Sequence, residues 1–123
     1  MTSIEIFRRM TEVKTVPAGE VVIRQDADPD VMYGILDGEL EIRVGDRVID
    51  TVGPGGIVGE LALIDLKPRS ATVRALTETR LVPIDQRRFL FLVQETPFFA
   101  LNVMKVMAER IRKLLEATEK AAD

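Results

Sequence analysis

GPGGIVGELALIDLKPRSATVRA, residues 53–75, is the stretch whose reading decides the fold and the chemistry. Gly53, Gly55, Gly56 and Gly59 let the backbone turn tightly and meet a ligand with no Cβ in the way. After Gly59, residues 60–64 (ELALI) predict about one helical turn, and its first N–H groups are free to face an anion. Glu60 is an acceptor that can take a sugar hydroxyl's hydrogen. Arg69 follows Lys67-Pro68, where the proline stiffens the approach, and a guanidinium grips phosphate oxygens with two parallel bonds. Ser70 adds a hydroxyl beside it. These groups compose a cradle for a sugar phosphate. The bland alternative is that Glu60 and Arg69 pair with each other as a solvated salt bridge worth little. Two nucleotide motifs are excluded. The glycines do not fall at G-x-G-x-x-G, the flanks are strands without a β-α-β unit, and no Gly-Lys-Ser/Thr occurs.

The composition narrows what such a cradle can do. The 123 residues hold no cysteine and no histidine. Disulfides, thiol catalysis, imidazole bases and His- or Cys-ligated metals are thereby excluded. The expectation is a non-enzymatic binding site with no cofactor or metal. A net charge of −3 gives no bulk drive toward nucleic acid or anionic membrane. No apolar run reaches the roughly 18 residues of a membrane span, and residues 1–10 (MTSIEIFRRM) lack a signal-peptide layout because the apolar part precedes the basic pair. A cytosolic, single-domain chain is expected over residues 1–123.

Upstream of the cradle the pattern is β. Residues 3–10 predict a short helix capped by Ser3, with Ile6, Phe7 and Met10 inward. Strands are expected at 13–16, ending at Pro17, and at 20–24 after the Ala18-Gly19 turn. Residues 25–30 (QDADPD) read as a plain polar turn, since their spacing does not fit a calcium loop. Strands 31–36 and 39–44 meet at Asp37-Gly38, a strong hairpin signal, and Gly45-Asp46 turns the chain into 47–52. Two more strands follow at 70–76 and 79–84. Short strands with closely spaced turns predict a mainly β fold with α, an antiparallel jelly-roll barrel (a double-stranded β-helix) over about 13–84. The period then changes. Asp85 caps a helix through Glu95 with Phe89, Leu90 and Val93 inward, and a long helix runs from Pro97 to about Lys120. Along it Leu101, Met104, Ala108, Ile111 and Leu115 fall on a heptad stripe that Val103, Met107 and Leu114 widen. A face this broad suits both the barrel and a second copy, so a homodimer through this helix is the expectation, and a helix docked only on its own domain is the alternative.

The run Gly59-Glu60-Leu61-Ala62-Leu63-Ile64, three residues, then Pro68-Arg69-Ser70-Ala71-Thr72-Val73 closely resembles the phosphate-binding cassette of cyclic nucleotide-binding domains. These occur in catabolite-activator-type regulators, cyclic-nucleotide-dependent kinases and nucleotide-gated channels. Residues 16–20 (VPAGE) and 35–40 (ILDGEL) extend the resemblance, which covers about residues 13–117. It implies that cAMP or cGMP is the ligand. Glu60 would hold the ribose 2′-hydroxyl and Arg69 the cyclic phosphate, with Gly59, Ser70 and the amides of Leu61, Ala62 and Ala71 completing the cradle. Ile42, Ile49 and Val58 align with apolar positions near sugar and base. The long helix would cap the base and relay binding to an effector protein. The region 110–115 (RIRKLL) lacks the Thr-Ser pair that catabolite-activator-type regulators use on adenine, so capping falls to apolar groups or arginine and both bases stay open. No DNA-binding, catalytic or pore domain follows, which the resemblance reads as a free-standing sensor or a piece of a longer chain. The rival is a scaffold module that keeps the fold and binds no nucleotide.

Overall fold

The computed structural model describes residues 2–28 and 30–122. Its elements are α1 (Ser3–Arg8), β1 (Lys14–Val16), β2 (Val21–Ile23), β3 (Met32–Asp37), β4 (Leu40–Val44), β5 (Arg47–Val52), β6 (Ile57–Val58), α2 (Glu60–Asp65), β7 (Thr72–Ala75), β8 (Thr79–Ile84), α3 (Gln86–Glu95) and α4 (Phe98–Ala122). All strand pairs are antiparallel. They form two four-stranded sheets, one ordered β1-β8-β3-β6 and the other β2-β7-β4-β5. This is the expected jelly roll.

The two sheets have different surroundings. Val16, Ile35, Leu40, Ile42, Val58, Val73 and Leu81 fill the space between them. The first sheet also carries a second core on its outer face, where Met32, Ile57, Val82 and Ile84 meet Ile6 and Phe7 of α1, Leu92 of α3, and Phe99 and Val103 of α4. β3 accordingly reads as four consecutive buried residues, because a strand covered on both faces loses the apolar-polar alternation of a half-exposed one. The second sheet keeps its outer face in water, with Arg43 and Arg74 flanking Glu41.

Several sequence expectations are corrected here. Asp37-Gly38 does not close a hairpin, since β3 and β4 lie in different sheets. Gly38 sits at φ +94, and a Cβ there would lie 2.5 Å from the Glu78 carbonyl oxygen, so the glycine serves a corner packed on the turn before β8. Thr2, not Ser3, caps α1. Thr2 has the extended backbone a cap needs, and its hydroxyl accepts from the Glu5 N–H at 3.4 Å. In α3 the inward residue is Leu92, whereas Leu90 is exposed. Phe89, Leu92 and Val93 fall at the 3-then-4 spacing of one helical face, and Leu90 lies off it. Asp85 does cap α3, accepting from the Arg88 N–H at 2.8 Å.

Along α4 the structure splits the broad apolar face in two. Phe99 and Val103 are buried and Val106 and Met107 pack beside them, while Leu101, Met104, Ala108, Ile111 and Leu115 are exposed. Among the described residues no single helix is long and apolar enough to cross a membrane.

The seat of α1 is set by one missing side chain. A Cβ on Gly34 would lie 2.6–2.7 Å from three ring atoms of Phe7, which is wholly buried. Phe7 in turn meets Phe99 edge-on, with ring centroids 6.3 Å apart. Gly34→Ala is therefore expected to cost about 1–3 kcal/mol in urea unfolding, as overpacking does. Adding Phe7→Leu should recover part of the loss. An unchanged midpoint for Gly34→Ala would show that α1 is not seated on this strand.

Candidate functional site

A cavity of about 260 Å³ opens at one end of the second sheet. All four of its strands supply the floor, through Ile23 of β2, Ile42 and Val44 of β4, Ile49 of β5 and Val73 of β7. Gly59, Glu60 and Leu61 form one wall, Arg69, Ser70 and Ala71 another, and Arg110 and Leu114 of α4 reach over the mouth. The volume sits just below the roughly 300–1,000 Å³ usual for small-molecule sites, and the lining is the usual mostly apolar surface with a few polar groups. Lifting α4 would enlarge it.

Of the residues named from sequence, Ile42, Ile49, Gly59, Glu60, Leu61, Arg69, Ser70 and Ala71 come together on this cavity. Val58 does not line it. On the two-residue β6, Ile57 points to the helices and Val58 lies wholly buried between the sheets. Ala62 lies in α2, and its side chain is outside what is described. Sequence reasoning assigned no site role to Ile23 and Val44, whose only signal was their place on strands, or to Val73, which closes the quoted cassette run. Arg110 and Leu114 lie in the segment to which the resemblance points for capping.

Arg69 is placed by three segments at once. Its own backbone is paired in both directions with the 25–30 loop, since the Asp26 N–H donates to the Arg69 carbonyl at 2.8 Å and the Arg69 N–H donates to Ala27 at 2.9 Å. Its guanidinium is 4% exposed. It donates from Nη1 to the Gly59 carbonyl at 3.0 Å, and from Nη2 to Asp30 Oδ1 at 2.7 Å and to the Val31 carbonyl. The loop that reads as a plain turn thus delivers a carboxylate to the site. Gly59 is required next to it. With φ +79 it occupies the left-handed region, and a Cβ would lie 2.7 Å from Arg69 Nη1 and 2.9 Å from Ile23 Cδ1. Tyr33 stands nearby. Burial pushes its phenol up, Asp30 adds to the rise and Arg69 opposes it, so the hydroxyl stays neutral at physiological pH.

Glu60 is buried and does not pair with Arg69, which disposes of the simple Glu-Arg bridge. Arg110 donates from Nη1 to Glu60 Oε1 and from Nη2 to the Ile57 carbonyl. Arg110 Nε lies 3.5 Å from Asp50 Oδ2, and Lys113 Nζ lies 2.7 Å from Asp50 Oδ1. Each charge of the cradle therefore has a partner from another part of the chain. Among the described residues no group of three or more acidic side chains is placed to hold a metal ion.

The comparisons with known proteins bear on the family and the fold. The family model described as "Cyclic nucleotide-binding domain" matches residues 13–96. A cyclic nucleotide-gated potassium channel of Rhizobium etli is 36% identical over 107 residues, which is 87% of this chain and 30% of the channel. The chain thus spans 30% or less of the curated relatives it matches. The Thermus thermophilus catabolite activator protein superposes with a TM-score of 0.78 over 98% of this chain and 57% of its own. At 23% identity that likeness is one of fold. An EAL enzyme solved in cGMP-bound and cAMP-bound forms is 26% and 28% identical, with TM-scores of 0.65 and 0.63, over 89% and 88% of this chain and 30% of the enzyme. On the match that runs through both sheets and the cassette, this chain belongs to the cyclic nucleotide-binding domain family.

Proposed function

We propose that this chain is a cytosolic, non-enzymatic sensor that binds cAMP or cGMP in the cavity beneath α4 and relays occupancy to a partner protein through that helix. The observation that carries the reading is the joint placement of Glu60 and Arg69 on one cavity floored by apolar strand residues. A cyclic nucleotide presents the matching groups, a ribose hydroxyl, an anionic phosphate and a flat apolar base. Glu60 has one carboxylate oxygen engaged by Arg110, and a carboxylate offers further acceptor positions for a hydroxyl. Asp30 acts as the internal stand-in for the phosphate. Its side chain is 73% exposed, so it returns to water at little cost when a ligand oxygen takes its place. That exchange releases Asp30 from Arg69, while Arg110 and Leu114 close on the base. Both movements couple occupancy to conformation, as a two-state sensor requires.

The outer stripe of α4 supports a homodimer as the assembly that reads the helix. Leu101, Met104, Ile111 and Leu115 are 43%, 60%, 55% and 64% exposed, and with the exposed Ala108 between Met104 and Ile111 they fall at alternating 3- and 4-residue steps, the spacing of a two-helix seam. The scaffold reading has its own support, because ion pairs already satisfy both charges of the cradle without a ligand.

Titration calorimetry separates the two. The sensor reading expects saturable binding of cAMP or cGMP, and absence of heat with both nucleotides favours the scaffold. Arg69→Ala should weaken binding by about 2–5 kcal/mol. Gly59→Ala removes no charged group, yet it should weaken binding by about 1–3 kcal/mol by forcing Arg69 aside. In sedimentation velocity, Ile111→Arg should convert a dimer to a monomer. A monomeric parent chain with and without nucleotide would remove the dimer from the proposal.

A further inference from the structure

The contacts of α4 divide into an apolar seat and a charged tip. Through Phe99 and Val103 the first turns are buried in the core shared with α1, α3 and the first sheet. Freeing them exposes large apolar side chains, so this end stays fixed. From residue 110 onward the contacts given to the helix are of another kind. Arg110 reaches Glu60, the Ile57 carbonyl and Asp50, Lys113 reaches Asp50, and Leu114 lies over the cavity. Asp50 is the residue these charged contacts share outside the cassette.

Asp50 owes its position to an irregularity in the sheet. Val44 pairs with Arg47 and Arg43 with Val48, but Ile42 pairs with Asp50, so the register skips Ile49. A bulge of this kind sets two consecutive residues against one and re-aims a side chain. With regular pairing Ile49 would stand opposite Ile42 and Asp50 would fall on the other face of the strand. The bulge lets Ile49 line the cavity while Asp50, its carboxylate 13% exposed, receives both cations from α4. The arrangement is not fully saturated. Arg110 Nε–H is buried with no hydrogen-bond partner among the described residues, and its distance to Asp50 is that of a loose ion pair.

We infer that Asp50 is a positioning residue: the bulge on β5 presents it as a clasp that holds the Arg110–Leu114 tip of α4 over the cavity, and release of the clasp gates entry and exit of ligand. Asp50 is absent from the cavity lining, so it acts through Arg110 and Lys113. Polar contacts hold the tip, those to Asp50 nearer the surface and those of Arg110 to Glu60 and the Ile57 carbonyl beneath them, whereas packed apolar side chains hold the base. The helix therefore opens from its C-terminal end, and salt weakens the clasp. The gating part of this inference rests on the cyclic nucleotide reading above. The clasp itself does not.

The test uses the full chain, which has no cysteine, so that paired spin labels can be placed cleanly at Glu116→Cys on α4 and Asp46→Cys on the β4–β5 turn. Without nucleotide, one narrow distance is expected in the parent chain. Asp50→Ala should broaden and lengthen it, and Asp50→Glu should restore much of it. Lys113→Ala, an exposed change that leaves the strand intact, should give a smaller shift in the same direction. In a chase with a fluorescent cAMP or cGMP analogue, Asp50→Ala should speed dissociation about fivefold and Lys113→Ala about twofold. Distance distributions that superimpose on the parent in both variants overturn the clasp. A broadened distance with an unchanged dissociation rate overturns its role as a gate. Should neither analogue bind the parent chain, the function proposed above fails, while the ligand-free distances still decide the clasp.

Discussion

A buried guanidinium has to be surrounded by acceptors, and in this protein that requirement is met at Arg69. Five N–H groups on a side chain almost closed to water cannot be left unpaired without a cost of several kcal/mol. The chain answers by bringing the Gly59 carbonyl, the Val31 carbonyl and Asp30 to one place. This joins the start of β3, the loop before it and the entry to α2 around a single side chain. The backbone pairing of Arg69 with Asp26 and Ala27 ties the loop before β3 to it a second time. The glycine at residue 59 follows from this crowding, since the position has no room for a Cβ. The cassette is therefore an ordered wall before any ligand arrives.

The layering of the fold decides which parts can respond. The first sheet is clamped between the inter-sheet core and the helices, and the Phe7–Gly34 contact with the Phe7–Phe99 and Phe89–Phe99 ring pairs makes that side a packed unit. The second sheet carries the cavity floor and no helix on its outer face. α4 crosses from one regime to the other. At about 1.5 Å per residue its 25 residues run to roughly 37 Å, longer than the core that seats it. Its C-terminal half is left to charges and to Leu114. Apolar burial holds one end and electrostatics the other.

The charges at the site form a relay in which no member is idle. Arg69 takes Asp30, Glu60 takes Arg110, and Asp50 takes Arg110 with Lys113. These groups are thus satisfied by one another within the chain. The same self-sufficiency gives the scaffold reading its footing.

The sequence by itself determined whatever depends on neighbours along the chain. Short alternating segments, the Gly45-Asp46 turn, the Asp85 cap, the change of period after residue 84 and the spacing of Glu60 and Arg69 are local patterns, and their local geometry came out as read. The absence of histidine and cysteine likewise excluded whole chemistries without a structure. The tertiary structure decided every question of partnership. Asp37-Gly38 turns the chain as its residues demand, but which strand comes to lie beside β3 depends on how two sheets close over one core. Leu90 and Leu92 are equally apolar, and only the docking of α3 selects the second. Asp30 with Arg69, Glu60 with Arg110 and Asp50 with Lys113 are separated by 39, 50 and 63 residues. Among 17 basic and 20 acidic residues nothing in the sequence distinguishes these pairs. Periodicity and turn chemistry report the geometry of a few consecutive residues, whereas the pairing of distant charges is settled only when the core brings their elements together and removes water from between them.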